Sequence, residues 1–222
     1  MDESFCENSN SAYNFEKHWE NAYRKIPVKS LGWYEFKSKP TLELIEQCNL
    51  EKDALIFNAG VGASTLIRDL IEANYSNLVV NDIAVSALTE LKQQIGNNKN
   101  TSIKFIVSDL TNPSNELLKL KNVDLWNDRA VLHFFTTKKQ QTAYFNLLKK
   151  VVKKNGFVIL AEFNLEGAKK CCGLNVVNYN EAMLQEQLGN EFKLLQSFNY
   201  TYTQPKGDTR EYVYTLFKRS TI

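Results

Sequence analysis

The sequence predicts an α/β protein, one mixed sheet with helices packed on both of its faces. Three observations carry this. Short apolar runs recur at 55–57, 78–80, 103–107, 123–126 and 157–161, each compact enough for a parallel strand covered on both sides. Stretches with helical spacing separate them, so strands and helices alternate along the chain. Residues 192–202 and 212–217 then alternate around Pro205, Lys206 and Gly207, the pattern of an antiparallel hairpin that closes the sheet.

The organising stretch is 54–64. Leu55, Ile56 and Phe57 form its strand, and Gly60 and Gly62 break it. Glycines at the carboxyl end of a buried strand leave backbone amides uncovered and admit a ligand, since no Cβ blocks the approach. Ser64 or Thr65 caps the following helix through Ile67 and Leu70. Strand, turn and helix alone suit any α/β protein, so the next elements decide. The second strand ends in Asn81 and Asp82, about 20 residues on, where a carboxylate accepts hydrogen bonds from both hydroxyls of a ribose. Capping a helix near Val85 is the competing role for Asp82. The third strand closes on Ser108, Asp109 and Leu110, which places Asp109 for an adenine amino group. After the fourth come Asn127, Asp128 and Arg129, then Ala130 to Phe135 with His133 among them. Thr136 or Thr137 caps a helix through Tyr144 and Val151, and Gly156 stops it and starts the fifth strand, which delivers Glu162 and Phe163 to the same edge.

Residues 1–12 are polar and read as a disordered tail, leaving 13–222 as a single domain. From 14 to 24, Phe15, Trp19, Ala22 and Tyr23 share one helical face, and Pro27 ends that helix. Residues 31–36 form an aromatic loop with Trp33 beside Tyr34, and a helix resumes over 39–47. These aromatics suit either a core or a lid over a ligand. Beyond the fifth strand, 166–177 is a loop carrying Cys171 and Cys172, followed by a helix at 181–188.

Composition narrows the function classes. With 27 basic against 25 acidic residues the net charge is +2, so no electrostatic footprint for nucleic acid stands out. No signal-peptide pattern opens the chain, and no apolar run approaches the ~20 residues that span a membrane; the expected setting is cytoplasmic. Cys6, Cys48, Cys171 and Cys172 match neither a disulfide framework nor a zinc site, and with only two histidines no metal is expected.

The turn Asn58, Ala59, Gly60, Val61, Gly62, Ala63, the acids Asp82 and Asp109 with Ile83 and Leu110 behind them, and the closing hairpin resemble the class I S-adenosylmethionine-dependent methyltransferases. A dinucleotide dehydrogenase would need a third glycine near Thr65. The resemblance implies a three-layer, Rossmann-like, seven-stranded mixed sheet in the order 3-2-1-4-5-7-6, with strand 7 antiparallel and an N-terminal helical lid. It implies S-adenosyl-L-methionine as cofactor. Trp33, Asn58, Ala59, Gly60, Gly62, Asp82, Ile83, Asp109, Leu110 and Asn127 would bind it. Asn58 departs from the family pattern, which has an acid there. Locally, His18, Trp19, Tyr23 and Leu31 to Tyr34 are similar to lysine methyltransferases of elongation factor 1A, whereas Asp124 to Ala130 are similar to thiopurine and thiol methyltransferases.

Methyl transfer from a sulfonium is an in-line displacement in which orientation alone contributes ~7–11 kcal/mol. Trp33 and Tyr34 are expected to close over the site. A carboxylate or thiolate acceptor needs no base, while an ammonium or hydroxyl must lose a proton; His133 and Asp128 are the candidate catalytic residues. The expected acceptor is a small molecule bearing a thiol, carboxylate or amine. A protein lysine N-methyltransferase is the first alternative, and an inactive nucleoside-binding module the second.

Overall fold

A computed structural model of the chain describes residues 13–96 and 100–221; the expected tail over 1–12, with Cys6, lies outside them. The first half runs through α1 (Phe15–Lys25), α2 (Lys39–Gln47), β1 (Leu55–Ala59), α3 (Leu66–Glu72), β2 (Asn77–Asp82), α4 (Val85–Ile95) and β3 (Ser102–Val107). The second runs through α5 (Asn115–Leu118), β4 (Val123–Arg129), α6 (Lys138–Val151), β5 (Val152–Phe163), β6 (Lys170–Cys171), β7 (Leu174–Asn175), α7 (Glu181–Leu188), β8 (Phe192–Thr203) and β9 (Thr209–Arg219).

Among the described residues, seven strands form one sheet in the order β3-β2-β1-β4-β5-β9-β8. With the short β6–β7 ladder set aside, this is the expected 3-2-1-4-5-7-6. The first five strands pair in parallel, and β9 enters antiparallel between β5 and β8. Side chains alternate across the sheet as a period of two requires. Ile56, Leu78, Leu125 and Ile159 pack on the side of α2, α3 and α4, while Phe57, Val79, Trp126 and Val158 pack on the side of α5, α6 and α7. Apolar cover on both faces explains why the strands read as continuous apolar runs.

Three local expectations change, and the choice of cap for α3 is resolved. Strand β4 does not end at Trp126 but continues through Asn127, Asp128 and Arg129, so alternation fixes where those three side chains point. Strand β5 begins at Val152, directly after α6, and Gly156 lies inside it, where the pairing with β4 shifts register. A Cβ on Gly156 would meet Lys153 O at 2.9 Å and Val123 O at 3.0 Å, so the residue is required by close backbone approach. The loop at 166–177 contains the β6–β7 hairpin, turned by Cys172 and Gly173 at φ +51° and +80°, the left-handed pair that matches strand twist in two-residue hairpins. Ser64 Oγ, and not Thr65, accepts from the first amide of α3, that of Leu66, at 3.2 Å.

Candidate functional site

The strand order reverses between β1 and β4, and in such sheets a crevice opens outside the carboxyl ends at that point. Two lobes occupy it, meeting at Trp33, Gly60 and Arg129. The first lies over the ends of β2 and β3; the second lies between the ends of β1 and β4 beneath residues 31–38.

The first lobe is built by strand ends. Asp82 is 6% exposed. Its Oδ2 accepts from Gly62 N–H at 2.8 Å and its Oδ1 from Ala84 N–H at 2.9 Å, so it ties the glycine turn to the start of α4. A carboxylate has about four lone-pair sites, so Asp82 keeps room to accept from a ligand hydroxyl. Burial pushes the Asp82 carboxyl up to about 6, against the bonds from Ala84 and Gly62 that hold it down. Asp109, after β3, accepts from Thr111 N–H at 2.7 Å and Thr111 Oγ1 at 2.8 Å through one oxygen. Ile83 and Leu110 border the same lobe. The carboxylates of positions 82 and 109 therefore face one cavity.

Helix α1 roofs this lobe. It has no fully buried residue, yet Phe15, Trp19 and Tyr23 line the cavity. Trp19 meets Trp33 and Phe134 edge to face, at 5.6 Å and 5.0 Å between centroids. Trp33 Nε1 donates to the Tyr23 hydroxyl at 3.0 Å. Glu20 Oε1 accepts from Ser86 N–H at 3.0 Å, supplying the cap that Ala84 cannot give α4. At the far end stand Lys170, Cys171, Cys172, Arg210 and Tyr212. Cys171 is half-buried and Cys172 exposed, with their sulfurs 3.8 Å apart. The hydrogen-bond contact between the two thiols, with burial, raises Cys171, while the same contact lowers Cys172; Arg210 opposes the rise at the first and adds to the fall at the second.

The second lobe is bordered by Asn58, Asn127, Glu35 and Arg129. Asn58 and Asn127 are direct partners in the β1–β4 register, and Asn127 Nδ2 donates to Asn58 Oδ1 at 3.2 Å. The strap above is held by four consecutive carbonyls. Gln204 Nε2 donates to Gly32 O at 2.9 Å, Arg129 Nη1 to Trp33 O at 3.2 Å, Tyr202 to Tyr34 O at 2.5 Å, and Thr65 Oγ1 to Glu35 O at 3.0 Å.

Nine of the ten expected cofactor residues thus border one lobe or both. Gly62 borders neither, because the Tyr23 hydroxyl lies against its α-carbon and leaves no room for a Cβ; its amide works through Asp82. His133 and Asp128, the expected catalytic residues, are fully buried and line neither lobe. Asp128 accepts from the Tyr144 hydroxyl at 2.6 Å and from Val131 N–H at 3.0 Å, not from Arg129. His133 Nδ1 lies 3.0 Å from Glu162 Oε2, off the hydrogen-bond direction, and that oxygen accepts from the backbone N–H of His133 instead. Burial pushes the Asp128 and Glu162 carboxyls well up and the His133 imidazole down to about 3. Glu35 and Arg129, which border the second lobe, were not among the expected site residues.

A family model described as a methyltransferase domain matches residues 50–220. The chain belongs to this methyltransferase family. The fold is shared with a SAM-dependent methyltransferase from Anabaena variabilis, at a TM-score of 0.74 and 14% identity across 93% of this chain and 96% of that one. It is also shared with the N-methyltransferase NodS from Bradyrhizobium japonicum, solved with S-adenosyl-L-homocysteine, at 0.68 and 15% across 93% and 99%. The EEF1A lysine methyltransferase 2 of Danio rerio is 24% identical in an alignment of 162 residues that covers 67% of this chain and 68% of that protein. Among the described residues, no helix of the methyltransferase is long and apolar enough to cross a membrane.

The residues present fit S-adenosylmethionine as the methyl donor. Asp82 and Asp109 face the first lobe, and in the second lobe the buried Asn127 Oδ1 has no hydrogen-bond partner. An orphaned buried acceptor is costly, and a ligand ammonium would satisfy it.

Proposed function

We propose that this methyltransferase, a single domain over 13–222, passes the methyl group of S-adenosylmethionine to a small anionic or thiol acceptor in the cytoplasm. One observation carries the choice of acceptor. Lys170 and Arg210 stand at the far end of the first lobe beside two thiols, and the carboxylates bordering that lobe among the described residues are Asp82 and Asp109, at its other end. An ammonium acceptor would meet two like charges with no counter-charge; an anion would be drawn in. The free thiols of Cys48, Cys171 and Cys172 support a reducing compartment.

The bound donor supplies an electrophilic methyl on a positively charged sulfur. The chain's own residues do the rest. Asp82 accepts from the ribose, Asp109 from the adenine amine, and Trp33, at the junction of the lobes, faces the sulfonium. Helix α1 and its aromatic face exclude water. An acceptor that is already anionic needs no side-chain base, which agrees with the place of His133 and Asp128 in the buried network with Tyr144 and Glu162. We assign them a positioning role at the ends of β4 and β5.

Transfer to a protein lysine is the second reading, supported by the zebrafish relative. Such an enzyme must deprotonate an ammonium, and the two expected bases, His133 and Asp128, are buried away from the cavity. Tritiated S-adenosylmethionine offered with thiols, carboxylic acids and cell-lysate proteins separates the two. Label on small acids or thiols is expected, with a raised KM for acids in Arg210→Ala. Label on a discrete protein band would contradict this reading and favour the lysine enzyme.

A further inference from the structure

Position 58, in β1, holds a neutral asparagine, which brings no charge to the crevice. Its carboxamide oxygen already accepts from Asn127. The second lobe nevertheless contains two buried polar atoms that make no hydrogen bond, one of them ion-paired to Glu35. Asn127, 4% exposed, leaves Oδ1 without a donor, and Arg129 leaves Nη2 without an acceptor. Between them in charge stands Glu35, whose side chain is 8% exposed and whose Oε1 lies 3.2 Å from Arg129 Nη2 without hydrogen-bond geometry.

We propose that Glu35 supplies the negative charge that receives the α-ammonium of S-adenosylmethionine in place of an acid at position 58, with Asn127 Oδ1 as second acceptor and Arg129 Nη2 turned to the α-carboxylate. This rests on the methyltransferase reading above.

Arg129 is fixed for that task. Its Nε donates to the Tyr214 hydroxyl at 3.1 Å and its Nη1 to Trp33 O, while its guanidinium lies over the rings of Tyr202 and Tyr212 at 4.9 Å and 5.1 Å. Three of its faces are occupied, and the remaining nitrogen points its charge toward Glu35. Glu35 is fixed in turn, since its own carbonyl accepts from Thr65 and that of Tyr34 accepts from Tyr202. A buried acid and base of opposite sign leave the lobe neutral. A zwitterion adds no net charge to it, and each of its ends finds an opposite charge and an unused hydrogen-bonding atom. A lone cation or anion would leave one of the two unmatched.

The test is a calorimetric cycle on the full chain with three probes: S-adenosylhomocysteine, its deaminated analogue, and 5′-methylthioadenosine, which lacks the amino-acid end altogether. The wild-type protein is expected to prefer S-adenosylhomocysteine over the deaminated analogue by about 10- to 100-fold, as a hydrogen bond to a charged group implies. In Glu35→Gln that preference shrinks to within about twofold, while 5′-methylthioadenosine binds as before and reports that the variant is folded. Equal binding of the first two probes by the wild-type protein overturns the proposal even if the variant does not fold, and so does equal loss of all three in Glu35→Gln. If the wild-type protein binds none of the three, the cofactor reading itself falls.

Discussion

The two lobes of the crevice are built by different means. In the first lobe the polar groups stand at the ends of regular strands, and register places them: Asp82 pairs with Val107 across β2 and β3, so Asp109 follows two residues beyond on the neighbouring strand. In the lobe under the strap, no regular element carries Glu35. Its place depends on side chains 30 to 172 residues distant that hold the carbonyls of residues 32 to 35. The first arrangement is set by local backbone geometry and exists whenever the sheet does. The second exists only once the terminal hairpin, β4 and the glycine turn have all docked, which makes it the part of the site that distant substitutions can loosen.

If that distinction holds, damage to the strand-end lobe should be large and specific. Replacing Asp82 with alanine removes the ribose acceptor and frees the amides of Gly62 and Ala84 together. Hydrogen bonds to a charged group are worth ~1.5–3 kcal/mol, so S-adenosylhomocysteine affinity should fall about 100-fold by calorimetry. A loss below about threefold would mean that the strand ends do not carry the grip.

The same carboxyl gives the next effect. Because burial holds Asp82 up near 6, it is mostly protonated at pH 5 and ionised at pH 8, and only the ionised form offers both oxygens as acceptors. Cofactor affinity should therefore rise about tenfold from pH 5 to pH 8, levelling off above 7. The profile should be flat in Asp82→Asn. A slope that survives in that variant would assign the titration to another group.

The smallest effect sharpens the boundary between the lobes. Trp33 borders both, and an aromatic face beside a cation gains ~0.5–2 kcal/mol. Trp33→Ala should weaken S-adenosylmethionine about fivefold and the uncharged thioether of S-adenosylhomocysteine less. Unchanged binding of both, with folding intact, would remove Trp33 from the site.

This contrast also explains what was legible in the sequence. Apolar runs, a glycine turn and acids at strand ends are local patterns, so the strands themselves, and the strand ends from Asn58 to Leu110 that border the crevice, were visible in the sequence, and the resemblance they carry implied the sheet order. The reading of Asp128 failed for a reason of period. With β4 ended at Trp126, the next three residues had no assigned direction. In the structure the strand runs on, Asp128 shares a face with Trp126, and Tyr144 on α6 bonds both, at 2.6 Å and 3.0 Å. Asn127 shares the opposite face with Leu125 and Arg129, which turns both polar residues toward the strap. His133 followed Asp128 into the buried network. Glu35 was out of reach because its role depends on Arg129, Thr65 and Tyr202, and no local pattern connects those positions.

A crystal structure of the full chain with S-adenosylhomocysteine tests the central claim most directly. The account predicts both ribose hydroxyls within hydrogen-bonding distance of the Asp82 carboxylate, the purine between Ile83, Asp109 and Leu110, and the amino-acid end under residues 33–35. Finding the purine beneath the strap, or the ribose out of reach of Asp82, would contradict it.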